Sequence, residues 1–175
     1  MDLPELLNTN RAAILDRWFA TILETYPAET AKFLKSQKDR FANPVGSTIS
    51  REIEAIFDQL VAGNYSGSDV TNFLDRIIRI RAIQDFTPSQ ALAFIFQLKT
   101  VIREKLAKDI ENHGLYAQMS NLETAIDNLA LMAFDIFAAC REKVYQTRTD
   151  EMKRIYAGAL RRSGLFEEAE EPNHT

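Results

Sequence analysis

Apolar residues recur along this chain at steps of three and four, the spacing that gathers them on one face of an α-helix, and the few glycines and prolines fall between the runs. Over residues 10–25 the run is Ile14, Leu15, Trp18, Phe19, Ile22 and Leu23. It predicts a helix ended by Tyr26-Pro27, because proline disfavours helical geometry in the residue before it. Pro27 suits the first turn of a new, short helix through Phe33 and Leu34, and SQKDRF reads as a polar connector. Asn43-Pro44 marks a further start, since the asparagine side chain can accept from an otherwise unpaired backbone N–H and proline has no N–H to waste. Ile49, Ile53, Ile56, Phe57 and Leu60 form the predicted buried face of that helix, and Gly63-Asn64 stop it. Gly46 sits in its first turn, where glycine weakens a helix; a close neighbouring backbone and a simply tolerated glycine both fit.

Ser68 is placed to cap the next helix, with Val70, Phe73, Leu74, Ile77 and Ile78 facing the core up to about Asp85. Thr87-Pro88-Ser89-Gln90 is a capping box with proline at the first helical position. The helix it opens runs through Leu92, Ile95, Phe96, Ile102, Leu106 and Ile110 to His113-Gly114. Residues 116–163 contain no glycine or proline before Gly158. As one helix they would extend ~70 Å, more than a domain of this size spans, so the first half is expected in the core and the second to project or bend. No alternating β-branched run and no Asn-Gly hairpin competes. The predicted fold is all-α, a bundle of about six helices with a long projecting C-terminal helix. The expected organisation is a helical domain over residues 1–140, an extended helix over 141–163 and a disordered, acidic tail over 164–175.

A chain of 175 residues with 46% hydrophobic and 26% charged residues suits a single folded core. The formal charge of −4 argues against a general electrostatic grip on nucleic acid. Cys140 is the only cysteine, so no intrachain disulfide or cysteine cage for zinc can form, and a reducing, cytoplasmic setting is expected. The start, MDLPELLNTNRAAIL, is acidic where a signal peptide is basic, and no apolar run nears the ~20 residues that cross a bilayer; no membrane association is expected.

Candidate chemistry is sparse. The two histidines, His113 and His174, lie at a helix end and near the C-terminus, so no metal site is expected. Haem needs an axial donor in an apolar pocket, and Cys140 reads as a small buried hydrophobe. There is no Gly-x-Ser-x-Gly elbow, no histidine partner for Cys140 and no phosphate loop, so neither an enzyme nor a cofactor is expected. Two charges interrupt apolar faces. Arg81 projects between Leu74 and Ile77, and Asp135 interrupts LALMAFDIFAAC. A buried charge is costly unless paired, so each is a candidate to hold a ligand or a structural partner, although Arg81 could also extend its head to water. Around Asp135, Leu129, Met132, Ile136 and Phe137 form one apolar face and Leu131, Phe134 and Ala138 the opposite one. The second face suits either a second subunit or an internal position. From residue 141 to 163, seven basic residues stand against three acidic ones, with Val144, Met152, Ile155, Tyr156 and Leu160 as sparse apolar positions, the pattern of an exposed amphipathic extension that docks on a partner or on its own copy.

The order Arg17-Trp18-Phe19, Tyr26-Pro27, Lys38-Asp39-Arg40-Phe41 and Asn43-Pro44-Val45-Gly46, with EAIFDQLVAG at 54–63, resembles the N-terminal domain of the RsbRD co-antagonist proteins, relatives of RsbR in the bacterial stressosome. The resemblance is carried by the first 65 or so residues and is generic beyond them. It marks Trp18, Tyr26, Pro27, Asn43, Pro44 and Gly46 as family positions. It implies a globin-like, non-haem sensory domain that forms a homodimer and signals through its last helix to a protein partner. The family's pattern continues into a STAS output domain, for which a chain ending at Thr175 leaves no room, so a stand-alone regulatory domain is expected. The resemblance assigns no phosphosite to Thr147 or Thr149. The alternative function is a ligand-carrying relative that binds haem or lipid in the apolar core.

Overall fold

The computed structural model describes residues 1–36, 41–65, 67–84 and 86–163. Seven helices account for nearly all of them, with no strand among the described residues: α1 (Leu3–Thr9), α2 (Arg11–Leu23), α3 (Ala28–Ser36), α4 (Pro44–Val61), α5 (Ser68–Ile83), α6 (Pro88–His113) and α7 (Tyr116–Arg162). The chain divides into two compact units, the first Met1–Cys140 and the second beginning at Arg141. The acidic tail expected over 164–175 lies outside the described residues, as does most of the SQKDRF connector.

The count exceeds the six expected because a short helix precedes α2. Asp2 caps α1 by accepting from the Glu5 N–H, and the Glu5 side chain answers by accepting from the Asp2 N–H, both at 2.9 Å. Leu3, Leu6 and Leu7 bury its inner face. Ser68 is not the cap of α5: that position is Gly67, in extended backbone, and no side chain closes the turn.

α2 lies at the centre of the first unit, packed against α1, α3, α4 and α6. Its residues Ile14, Trp18 and Ile22 have essentially no exposure. Trp18 ties it to α6 twice, donating its indole N–H to the Phe94 carbonyl at 2.7 Å and stacking on the Phe94 ring. Buried indoles need such a partner. α4 and α5 form the most extensive pair, and Ile49, Ile53, Ile56 and Phe57 bury one stripe of α4. α6 ends as its sequence predicts, with Gly114 at φ 63°, a left-handed conformation that L side chains rarely adopt.

The Asn43-Pro44-Val45-Gly46 junction has a definite mechanical job. Asn43 is buried; its Oδ1 accepts the Gly46 N–H at 2.9 Å, and its Nδ2 donates to the Leu34 carbonyl at 2.9 Å. One carboxamide thus caps α4 and ties it to the end of α3. Gly46 makes room for it, since a Cβ there would lie 2.8 Å from Asn43 Oδ1. The close approach is to a side chain of the same turn, not to a neighbouring backbone.

α7 is a single helix of 47 residues. Its buried residues, from Met119 to Phe137, all lie in the first unit. There Arg103 on α6 pairs with Glu123, Lys99 pairs with Asp127 at 2.7 Å, and Gln118 accepts the Leu3 N–H at 2.9 Å. No described helix is long and apolar enough to cross a membrane.

Candidate functional site

Two features of the first unit stand apart from ordinary core packing. One is a buried cation. Arg81, near the end of α5, is 0% exposed, so its head does not reach water as its place near a helix end would allow. Three elements close over it. Its Nε–H donates to the Ala91 carbonyl and its Nη2 to the Gln90 carbonyl and to Thr25 Oγ1, each at 3.0 Å. The rings of Phe86, Tyr26 and Phe94 surround the guanidinium carbon, at 4.2, 5.4 and 5.7 Å from centroid to carbon. These contacts favour a cation, but none carries a negative charge.

Among the described residues no carboxylate pairs with Arg81, and its Nη1, also buried, has no hydrogen-bond partner. Burial lowers the Arg81 pKa, and the neighbouring Tyr26 partly offsets it. Burial likewise raises the Tyr26 pKa, against the opposing pull of Arg81, so the phenol is neutral. Tyr26 also shares a hydrogen bond of 3.1 Å with Gln84 and meets Phe86 edge to face at 5.2 Å. The site therefore joins the end of α2, the end of α5 and the first turn of α6.

The second feature is a surface. Along α6 and α7 an apolar groove of about 660 Å³ is lined by Pro88, Leu92, Ala93, Phe96, Gln97 and Phe134. Phe96 and Phe134 are half exposed and Leu131 is 67% exposed. Gln97 lies in the groove with its side-chain oxygen buried and unpaired. Leu131, Phe134 and Ala138 form the predicted second face of α7, and it is open within the unit, not internal.

Asp135 belongs to that open face. It is exposed, so its charge carries no burial cost, and the structure does not bring it to Arg81 as a paired site. Cys140 is half-buried, packed against the core edge, and not the fully buried hydrophobe its pattern suggested. His113 closes α6 on the surface, its Nδ1 2.9 Å from the Asp109 carbonyl oxygen, so it offers no axial donor to a haem in the core. Among the described residues no three histidines, cysteines or carboxylates group as metal ligands. In the second unit Tyr145, Met152, Ile155, Tyr156 and Leu160 are exposed on α7.

Sequence reading passed over Glu52, which is 1% exposed and bridges Arg51, at 2.6 Å, and Arg76, at 2.7 Å. Its place between Ile49 and Ile53, on the apolar stripe of α4, was the available signal.

Residues 12–152 match the model of the RsbT co-antagonist protein rsbRD N-terminal domain. The chain belongs to the RsbRD N-terminal domain family. The match takes in all of α3 to α6 and most of α2 and α7, so it extends well past the first 65 residues that carried the resemblance. Comparison with the curated proteins and with the solved structures gives no match. The RsbRD positions named from sequence have structural posts: Trp18 fastens α2 to α6, Tyr26 walls the Arg81 site, and Asn43 with Gly46 locks α3 to α4. Pro44 opens α4, and Pro27 precedes α3.

Proposed function

We propose that this RsbRD-type domain is a stress-signalling regulatory module of the bacterial cytoplasm that works as a homodimer and passes its state to a protein partner through α7. Family membership supports the regulatory role. The observation that carries the dimer is the open face of α6 and α7: Phe96, Leu131 and Phe134 present aromatic and aliphatic side chains to water beside an apolar groove. Burying such side chains is worth roughly 1.5–3 kcal/mol each, and aromatic residues are enriched at protein interfaces. A two-fold axis would use the face twice, once from each copy. The relay draws support from the exposed apolar and basic residues of α7 beyond Arg141, a surface suited to a protein partner.

Light scattering coupled to size-exclusion chromatography tests the dimer. The wild-type chain, 19.9 kDa, is expected at twice that mass, and Phe96→Glu with Phe134→Glu at the single-chain mass with an unchanged helical circular-dichroism spectrum. A monomeric wild type, or a double variant that stays dimeric, overturns the reading.

A further inference from the structure

The Arg81 guanidinium has five N–H donors in one plane. Three are taken by neutral acceptors, the carbonyls of Ala91 and Gln90 and the hydroxyl of Thr25. The two on Nη1 are unspent. The aromatic rings lie near the central carbon, with Phe86 only 4.2 Å away. The vacancy is therefore in the hydrogen-bonding capacity of Nη1, and the group that fits it has oxygen acceptors and a negative charge.

We propose that Arg81 binds a small oxyanion, a carboxylate or a phosphate, which takes the free Nη1 donors and supplies the charge that the Thr25, Gln90 and Ala91 contacts lack. Charge-assisted bonds to an oxyanion are about twice as strong as neutral ones, and a buried cation gains most from them. Thr25, Gln84 and Phe86, which border the buried group, are each partly exposed. Lysine could not replace arginine here. Its single ammonium has three donors, which the two carbonyls and Thr25 would consume, leaving none for the ligand. The inference stands on the Arg81 geometry alone and does not depend on the dimer.

The test is a titration of the full chain with sodium acetate and, separately, sodium phosphate at constant ionic strength in sodium chloride, followed by thermal denaturation. One of the two oxyanions is expected to raise the melting temperature saturably, and which one does so identifies the source. Arg81→Lys is expected to weaken that response at least tenfold in apparent affinity. No saturable response to either anion, or an equal response in Arg81→Lys, overturns the proposal, the latter by showing adventitious binding elsewhere. Should Arg81→Lys fail to fold, ¹⁵N NMR of the wild-type guanidinium decides: Arg81 Nη resonances that move along the titration support the site, and resonances that stay fixed refute it. Light scattering on the same samples reads the dimer separately, so either idea can fail without the other.

Discussion

Replacing Glu52 asks whether a buried charge stabilises this bundle or only avoids harming it. Its carboxylate is 1% exposed between α4 and α5, accepting from Arg51 Nε at 2.8 Å, Arg51 Nη2 at 2.6 Å and Arg76 Nη1 at 2.7 Å. Hydrogen bonds to charged groups contribute ~1.5–3 kcal/mol each, and breaking a fully buried pair costs ~3–5 kcal/mol. Here both arginines are about half exposed, at 53% and 46%, so water re-solvates them once the carboxylate is gone. Glu52→Ala therefore loses the bridge and leaves a small void, for a cost of about 3 kcal/mol. Glu52→Met fills the void and leaves no buried charge, and is expected within ~1 kcal/mol of wild type. Urea unfolding monitored by circular dichroism measures both; at ~2–4 °C per kcal/mol for a domain of this size, the alanine variant should melt about 6–12 °C lower. If Glu52→Met costs as much as Glu52→Ala, packing of the vacated space does not govern the outcome and the reasoning is refuted. A loss under ~1 kcal/mol for alanine would put the bridge in the class of idle surface pairs.

Gly46→Ala reverses the usual benefit of removing a helical glycine: the new Cβ meets the Asn43 carboxamide, which Leu34 already holds, so unfolding free energy should fall by about 2 kcal/mol. Gly158→Ala meets nothing within 4 Å and should instead gain up to ~1 kcal/mol in the same urea titration. Glu123 is held below its ordinary pKa of 4.5 by its hydrogen bonds to Arg103. Its stabilisation is thus present above pH 4.5 and lost as the pH falls through the lowered folded value, and Glu123→Gln should flatten the acid limb of stability against pH.

The helices with periodic apolar faces and explicit caps were legible residue by residue. Thr87 and Gln90 form the capping box that opens α6, and Asn43 caps α4, because these signals are local and depend on three or four neighbouring residues. α1 had the same kind of signal in Asp2 and Glu5, but its seven residues are too few for a periodic face to stand out. The Arg81 site was half legible. A helical projection placed it on the inner side of α5, yet its burial depends on Thr25, Tyr26, Phe86 and Phe94, which come from other elements and share no sequence spacing with it. Asp135 shows the converse limit. LALMAFDIFAAC is apolar nearly all round, so a charge within it reads as buried, whereas the core of the first unit covers only one side of α7 there and Asp135 shares the open side with Leu131 and Phe134.

The first turn of α6 is where these two features meet. Gln90 and Ala91 give their carbonyls to Arg81, and Leu92 and Ala93, the next two residues, line the apolar groove. An anion seated on Nη1 draws on the same rigid fork whose other donors hold Thr25, Gln90 and Ala91, so it alters the strength of those bonds without displacing them. One charge-assisted bond is worth ~1.5–3 kcal/mol, the same range as the ~1–3 kcal/mol typical of coupling between two sites. The energy available at the cation is thus of the right size to bias a helix turn on which a subunit contact would rest, with no long relay through the core. Such coupling is reciprocal, so an anion that tightened the dimer would itself be bound more tightly by the dimer.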